Sequence, residues 1–342
     1  MNATTGYRRP QVASEGLRLH LNEHTGGCSP RVLARLRALD ATAASFYPDY
    51  AAAVAATATW FAIRPDQFVL TNGMDEGIFA AAILALRGRS DAEGIVIEPA
   101  FEVYDACVRC LSGRVVRVSL GADFTLTAGQ VLDALTPRTR IIFLNTPHNP
   151  SGAVVPRAVI QQIAAGAPGA IVFVDEAYVD FAGGSVVDLA VTSRNMLVGR
   201  TFAKAHGLAG LRLGVVVGAE DTIAALKAIV PPYSINSYAA AALVAALEDR
   251  DYVEDYVRQS ERSRQMLYAF CERRGLFAYP SAANFVLIRA GDRARPLAAA
   301  LSSRGIFVRD RSDQPGCGGC IRITAGLVQH TQAAIDALEE LL

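Results

Sequence analysis

Residues 170–178 read AIVFVDEAY. Ile171, Val172, Phe173 and Val174 form an unbroken apolar run of β-branched and aromatic residues, the composition of a strand buried on both faces, as parallel strands between two helix layers are. Asp175 and Glu176 close the run, so at least one carboxylate is expected inside and needs a partner. A ligand ring nitrogen meets that need, and so does a structural salt bridge. The stretch alone leaves both open.

Six further short apolar runs accompany it, at 67–70, 94–99, 114–120, 140–145, 195–201 and 211–218, with helical stretches such as 75–87 and 156–165 between most of them. This alternation predicts a doubly wound α/β unit around a mostly parallel seven-stranded sheet. After Pro231-Pro232 the texture changes. An alanine-rich run (238–248) leads into a long, charged, helix-periodic segment (250–275), and the remainder reads as a small α+β unit. The expected organisation is an N-terminal arm (1–40) packing with the small domain, a large domain (41–245) and a C-terminal small domain (246–342).

The composition narrows the ligand. The 342 residues are 51% hydrophobic and 19% charged with a formal net charge of zero, so no basic footprint points to nucleic acid or an anionic membrane, and a small molecule is the expected ligand. No stretch reaches the roughly 18 apolar residues of a membrane helix, and the first residues lack the apolar segment of a secretory leader. A cytoplasmic location is expected. Two Cys-x-x-Cys pairs, Cys107 with Cys110 and Cys317 with Cys320, invite a zinc reading. The first reads as part of a helix and the second as a tight glycine turn, so reduced thiols are expected and no metal site.

In open α/β sheets ligands bind beyond the carboxyl ends of the strands. One such loop, TNGMDEGIFAA (71–81), opens a helix near Met74 or Asp75 whose free N–H groups suit an anion, although Asn72 or Asp75 could equally cap it. Another, NTPHNPSG (145–152), carries two X-Pro bonds and a glycine and presents Asn149 from an irregular turn. A third, TFAKAHGLAGLRLG (201–214), holds Lys204. The chain has 31 arginines and only two lysines, Lys204 and Lys227. Arginine cannot shed its proton to attack a carbonyl carbon, whereas lysine can. No acidic residue lies between Gly199 and Ala219 to pair with Lys204. A lysine for Schiff-base chemistry, Thr201 and Arg212 for a phosphate, a buried aspartate and a helix N-terminus form the inventory that pyridoxal phosphate requires.

The motifs LNE (21–23), YPD (47–49), NGMDEGI (72–78), NTPHNPSG (145–152), DEAY (175–178), FAKAHGLAGLRLG (202–214) and IRITAG (321–326) occur in this order. In them the chain resembles the class I/II, fold-type I pyridoxal-phosphate aminotransferases, closest to the histidinol-phosphate branch, over nearly its whole length. The resemblance implies that Lys204 binds the cofactor covalently and moves the substrate proton. It implies that Asp175 holds the ring nitrogen protonated, that Asn149 and Tyr178 contact the ring hydroxyl, and that Tyr104 stacks on the ring. Thr201, Arg212 and the N–H groups of Met74 and Asp75 would hold the cofactor phosphate, and Tyr47 would reach the phosphate in a neighbouring subunit, implying a homodimer with shared sites. Arg322 would grip a carboxylate and Arg309 a substrate phosphate, with histidinol phosphate as amino donor and 2-oxoglutarate as the 2-oxo acid acceptor. Aromatic or other amino-acid transamination, decarboxylation of a phosphorylated amino acid, and a non-catalytic sensor module are the competing readings. The chain departs from the common pattern at EHT (23–25), at Ala203 just before the lysine, and at His148 and His206.

Overall fold

A computed structural model describes residues 15–342. The expected seven-stranded sheet is present. Its strands follow a two-residue strand β1 (Leu17–Arg18) and are β2 (Phe68–Asn72), β3 (Glu93–Glu98), β4 (Arg114–Ser119), β5 (Thr139–Asn145), β6 (Ile171–Asp175), β7 (Met196–Thr201) and β8 (Leu213–Val217). They lie in the order β2-β8-β7-β6-β5-β3-β4, and only β8 runs against its neighbours. Its central strands β5, β6 and β7 are buried almost throughout, which is why they read as continuous apolar runs. Separate hydrophobic clusters cover the two faces, one containing Val172 and Val174, the other Phe143 and Phe173, as the twofold alternation of a strand requires.

The 170–178 run is shorter as a strand than its sequence suggests. β6 stops at Asp175, where the side chain turns back to accept a bond from the Ala177 N–H at 2.9 Å. An aspartate bonding its own backbone two residues on bends the chain out of the sheet.

A second sheet follows the long helix Arg250–Arg273. It comprises β9 (Phe277–Ala278), β10 (Phe285–Arg289), β12 (Arg309–Asp310) and β13 (Cys320–Thr324) in the order β12-β13-β10-β9, all antiparallel. The remaining strand, β11 (Ile306–Phe307), pairs in parallel with β1. Leu19 belongs to the core of this smaller sheet, whereas Val32, on the helix Pro30–Arg37, belongs to the core of the large one. The described part of the expected arm (1–40) is therefore divided. Its beginning joins the small sheet, and its helix docks on the large unit because Val32 is fully buried there. Residues 1–14 of that arm lie outside the described residues.

Close backbone approach fixes the helix Gly73–Leu86 against β8. A Cβ placed on Gly214 would lie 2.8 Å from the Gly73 carbonyl carbon and 2.8 Å from the Met74 nitrogen. Backbone cannot yield there as a flexible side chain would. Gly214→Ala is expected to destabilise the protein by about 1–3 kcal/mol, read as a lower urea midpoint.

Candidate active site

A cavity of about 480 Å³ opens at the carboxyl ends of β5, β6 and β7 and is closed on its other side by residues of the N-terminal segment and the small sheet. Of the residues the sequence singled out, Lys204, Asp175, Tyr178, Met74, Asp75, Tyr104, Asn149, Thr201, Arg212, Arg309 and Arg322 all line it. Tyr47 does not. Its side chain is 80% exposed and stacks on Tyr233, with ring centroids 4.4 Å apart, on the outer surface.

The two carboxylates that close β6 part company. Glu176 turns away from the cavity, accepts bonds from the Ser185 hydroxyl and the Val186 N–H, both at 2.6 Å, and faces Arg200 at 3.6 Å. It is the structural ion pair. Asp175 faces the cavity and is almost wholly buried. Its Oδ2 accepts from the Tyr104 hydroxyl at 2.5 Å and no cation forms an ion pair with it among the described residues. Burial pushes its carboxyl up to about 6, against the downward pull of Tyr104, the Ala177 N–H and Lys204.

Tyr104 lines the cavity and is also tied to the aspartate. One face of its ring lies flat on Phe143, with centroids 4.9 Å apart and planes 9° from parallel, and its hydroxyl is engaged by Asp175. It buttresses the aspartate. Phe101, three residues earlier and edge-on to Tyr104, is the other aromatic in this wall, and sequence spacing did not distinguish the two.

Lys204 sits in the irregular segment after β7. Its Nζ donates to the Leu21 carbonyl at 2.9 Å and lies 5.8 Å from the Tyr178 ring centroid. Among the described residues no carboxylate forms an ion pair with it. Tyr178 in turn accepts from Asn22 Nδ2 at 3.1 Å. Asn22, part of the LNE motif but given no role from sequence, is buried with φ +55°; it exchanges bonds with Thr324, and its carbonyl accepts from Asn284 Nδ2. The signal was available in part, since asparagine is among the few residues that tolerate a left-handed backbone.

The phosphate-sized corner is assembled from backbone. The Asn72 side chain makes no capping bond to the helix Gly73–Leu86, so the first N–H groups keep their capacity for an anion. Arg212 lies across this helix start, bonded to Asp75 at 3.0 Å. A Cβ on Gly73, whose φ is +77°, would come 2.5 Å from its Nη2. The absent side chain of Gly73 is what lets a guanidinium lie over the N-terminus. Thr201 adds a hydroxyl at the end of β7.

On the opposite wall Arg322 is 5% exposed and donates to Asn149 Oδ1 at 2.5 Å and to the His20 carbonyl at 2.7 Å. Burial pushes it down to about 9, which leaves it charged at neutral pH. The Asn149 backbone N–H is held by Asn145 Oδ1 at 2.7 Å, and His148 ties the same loop to Ser151 and to the Pro99 carbonyl, each at 2.8 Å. Burial lowers the His148 imidazole to about 4, so it serves as a neutral strut. Six basic side chains line the cavity against four acidic ones, and the site is built for anions.

A nucleophile-capable lysine, a buried carboxylate and an uncapped helix start overlaid by arginine define a site of the pyridoxal-phosphate type on a fold-type I scaffold. Residues 14–340 match the family described as aminotransferase class I and II, and the chain belongs to that family. It is 34% identical over 338 residues to the histidinol-phosphate aminotransferase of Roseiflexus castenholzii, covering 95% of this chain and 89% of that one. It is 35% identical to that of Aromatoleum aromaticum, covering 98% and 94%. The crystal structure of histidinol-phosphate aminotransferase from Sinorhizobium meliloti in complex with pyridoxal-5'-phosphate superposes with a TM-score of 0.83 at 25% identity, covering 96% of this chain and 92% of that one. The residues present here fit that cofactor, because the Gly73–Arg212 corner suits its phosphate and the buried Asp175 suits its ring nitrogen. No helix of the described residues is long and apolar enough to cross a membrane.

The Asp175 environment sets a pH dependence. Between 3.8, the ordinary value, and about 6 in the fold, the native protein retains a proton that the unfolded chain has released, so raising the pH through this window weakens the cofactor-free fold. Cofactor-free Asp175→Asn should gain on wild type by about 3 kcal/mol across that interval, read from urea midpoints at successive pH values. Tyr104→Phe removes a bond to the charged carboxylate and should extend the window upward.

Proposed function

We propose that this aminotransferase, with pyridoxal 5'-phosphate as its cofactor, transfers the amino group of histidinol phosphate to 2-oxoglutarate. The observation that carries the reading is Lys204, free of any carboxylate ion pair among the described residues, on the wall of a cavity that also holds the buried Asp175 and an excess of guanidinium groups. Bound there, the cofactor supplies the electron sink that stabilises the carbanion left when the donor loses its Cα proton.

In this reading the chain's own residues take the following roles, and their shared place on the cavity wall supports it. Lys204 would bond the cofactor, and its amine would carry the proton from the donor Cα. Its hydrogen bond to the Leu21 carbonyl shows the reach of the amine across the cavity. Asp175, steadied by Tyr104, pairs with the ring nitrogen and keeps it protonated. Asn149 and Tyr178 contact the ring hydroxyl. Thr201, Arg212 and the N–H groups of Met74 and Asp75 hold the cofactor phosphate, and Ala203, just before the lysine, offers no hydroxyl to it. Arg322 binds the acceptor's carboxylate, and Arg309 the donor's phosphate. The large domain (41–245) thus supplies cofactor contacts and the small domain (246–342) supplies substrate contacts.

The outward-facing Tyr47 completes the reading as a homodimer. Phe46, Tyr47 and Tyr233 are all more than half exposed, and an aromatic cluster of this kind on a surface marks an interface. In a pair of chains Tyr47 reaches the partner's cofactor phosphate. The protein should sediment at about twice the 36.4 kDa chain mass, and Tyr47→Phe should weaken cofactor affinity while leaving Lys204 chemistry in place.

The deciding experiment is a donor panel of histidinol phosphate, aromatic and basic amino acids, followed by conversion of the bound cofactor to its amine form. Histidinol phosphate should give the highest kcat/KM. Borohydride should fix the cofactor to one peptide, that containing Lys204, and Lys204→Ala should lower transamination by roughly 10²–10⁴-fold or more. A higher kcat/KM for an unphosphorylated donor would overturn the substrate assignment, and full turnover by Lys204→Ala would overturn the mechanism.

A further inference from the structure

Two guanidiniums lining the cavity, Arg18 and Arg311, have no part in the proposed roles, and Arg18 is paired with Glu23. Arg311 is 6% exposed, lines the cavity and has its Nε enclosed without an acceptor. Among the described residues its side chain makes no hydrogen bond. Its one carboxylate neighbour is Glu102, 3.8 Å from Nη1 and 44% exposed. Three other arginines of the wall are better engaged, Arg322 with Asn149 and His20, Arg212 with Asp75, and Arg18 with Glu23; Arg309 lines the same cavity as Arg311. A guanidinium has five N–H donors, and burying one without acceptors is costly.

The backbone shows that this placement is built in. The Arg311 N–H donates to the Cys320 carbonyl at 2.9 Å, which holds the residue beside β13. Two positions earlier Arg309 stands directly opposite Arg322 in the β12–β13 register. Like charges opposite one another weaken a sheet, and Arg311 adds a third to the same place. Burial lowers the proton affinity of Arg311, the nearby Glu102 works against that, and the charge of Arg309 adds to the lowering. Three guanidiniums converge here with a single, half-solvated carboxylate among them.

We infer that Arg311 is a specificity-determining residue, which with Arg309 forms a two-guanidinium cradle for a dianionic phosphomonoester on the amino donor. A carboxylate has two oxygens and is satisfied by one planar fork, whereas a phosphomonoester has three terminal oxygens and close to two charges, enough for both. The inference rests on the proposed phosphorylated donor and adds to it the group that discriminates for the phosphate.

The test uses the holoenzyme and two donors that differ only in the phosphate, histidinol phosphate and histidinol. The wild-type enzyme should favour the phosphorylated donor. In Arg311→Gln the ratio of kcat/KM between the two should fall roughly ten- to a hundredfold, with the loss appearing in KM for histidinol phosphate. Arg311→Lys, which keeps the charge but not the fork, should fall between. Inorganic phosphate should inhibit the wild-type holoenzyme competitively and Arg311→Gln more weakly. An Arg311→Gln enzyme that is folded by circular dichroism and keeps the wild-type ratio, or that loses equally on both donors, overturns the assignment. A wild-type enzyme indifferent to the phosphate overturns the donor assignment instead. Phosphate inhibition, measured with whichever donor is turned over, then decides Arg311 separately, since equal inhibition constants in wild type and Arg311→Gln would show that the cradle does not exist.

Discussion

A carboxylate held at the end of a fully apolar strand is the constraint around which this molecule is arranged. Asp175 terminates β6, the middle strand of the large sheet, where desolvation opposes its charge. Everything near it answers that cost in part. Tyr104 and the Ala177 N–H donate to its two oxygens, Phe143 fixes the tyrosine ring, and Asn145 donates to its carbonyl while holding the loop that presents Asn149. The compensation is incomplete. An acid raised in proton affinity, short of a cation and facing a cavity is suited to a cationic ligand atom.

Most of the sheet was legible in the sequence because its inner strands are buried on both faces, so composition alone announced them; the edge strand β4 is largely exposed or half-buried. The edges of elements were less so. Asp175 ends β6 through a bond to backbone two residues on, and the apolar run of 170–178 carries no trace of that turn except the aspartate itself. The helix after β2 begins at Gly73 rather than Met74 or Asp75, since a glycine with positive φ can make the bend. Cys107 and Cys110 sit on the helix Glu102–Cys110 as read, while Cys317 lies in the turn before β13 and Cys320 is that strand's first residue.

Within the site, residues distinguished by type were readable and residues distinguished by orientation were not. Lys204 stood out because lysine is scarce in this chain, and the same scarcity hid Arg311, one arginine among 31. Phe101 and Tyr104 lie one helical turn apart on the helix start, and only coordinates reveal that the tyrosine ring is already covered by Phe143. Asp175 and Glu176 show the converse. Either could have faced the ligand, and as the chain leaves the sheet after Asp175 it carries Glu176 away from the cavity to Arg200.

The N-terminal segment has a consequence for how the molecule comes into being. Asn22 is bonded to Tyr178 and Thr324, the His20 carbonyl to Arg322, and the Leu21 carbonyl to Lys204, joining residues 156 to 302 positions apart. A ribosome has released nearly the whole chain before Arg322 and Thr324 can reach the segment made first. Loop closure over such spans is slow. The cavity is therefore among the last parts of the protein to exist, and a chain broken off short of β13 has a large sheet and a lysine but no enclosed place to hold a substrate.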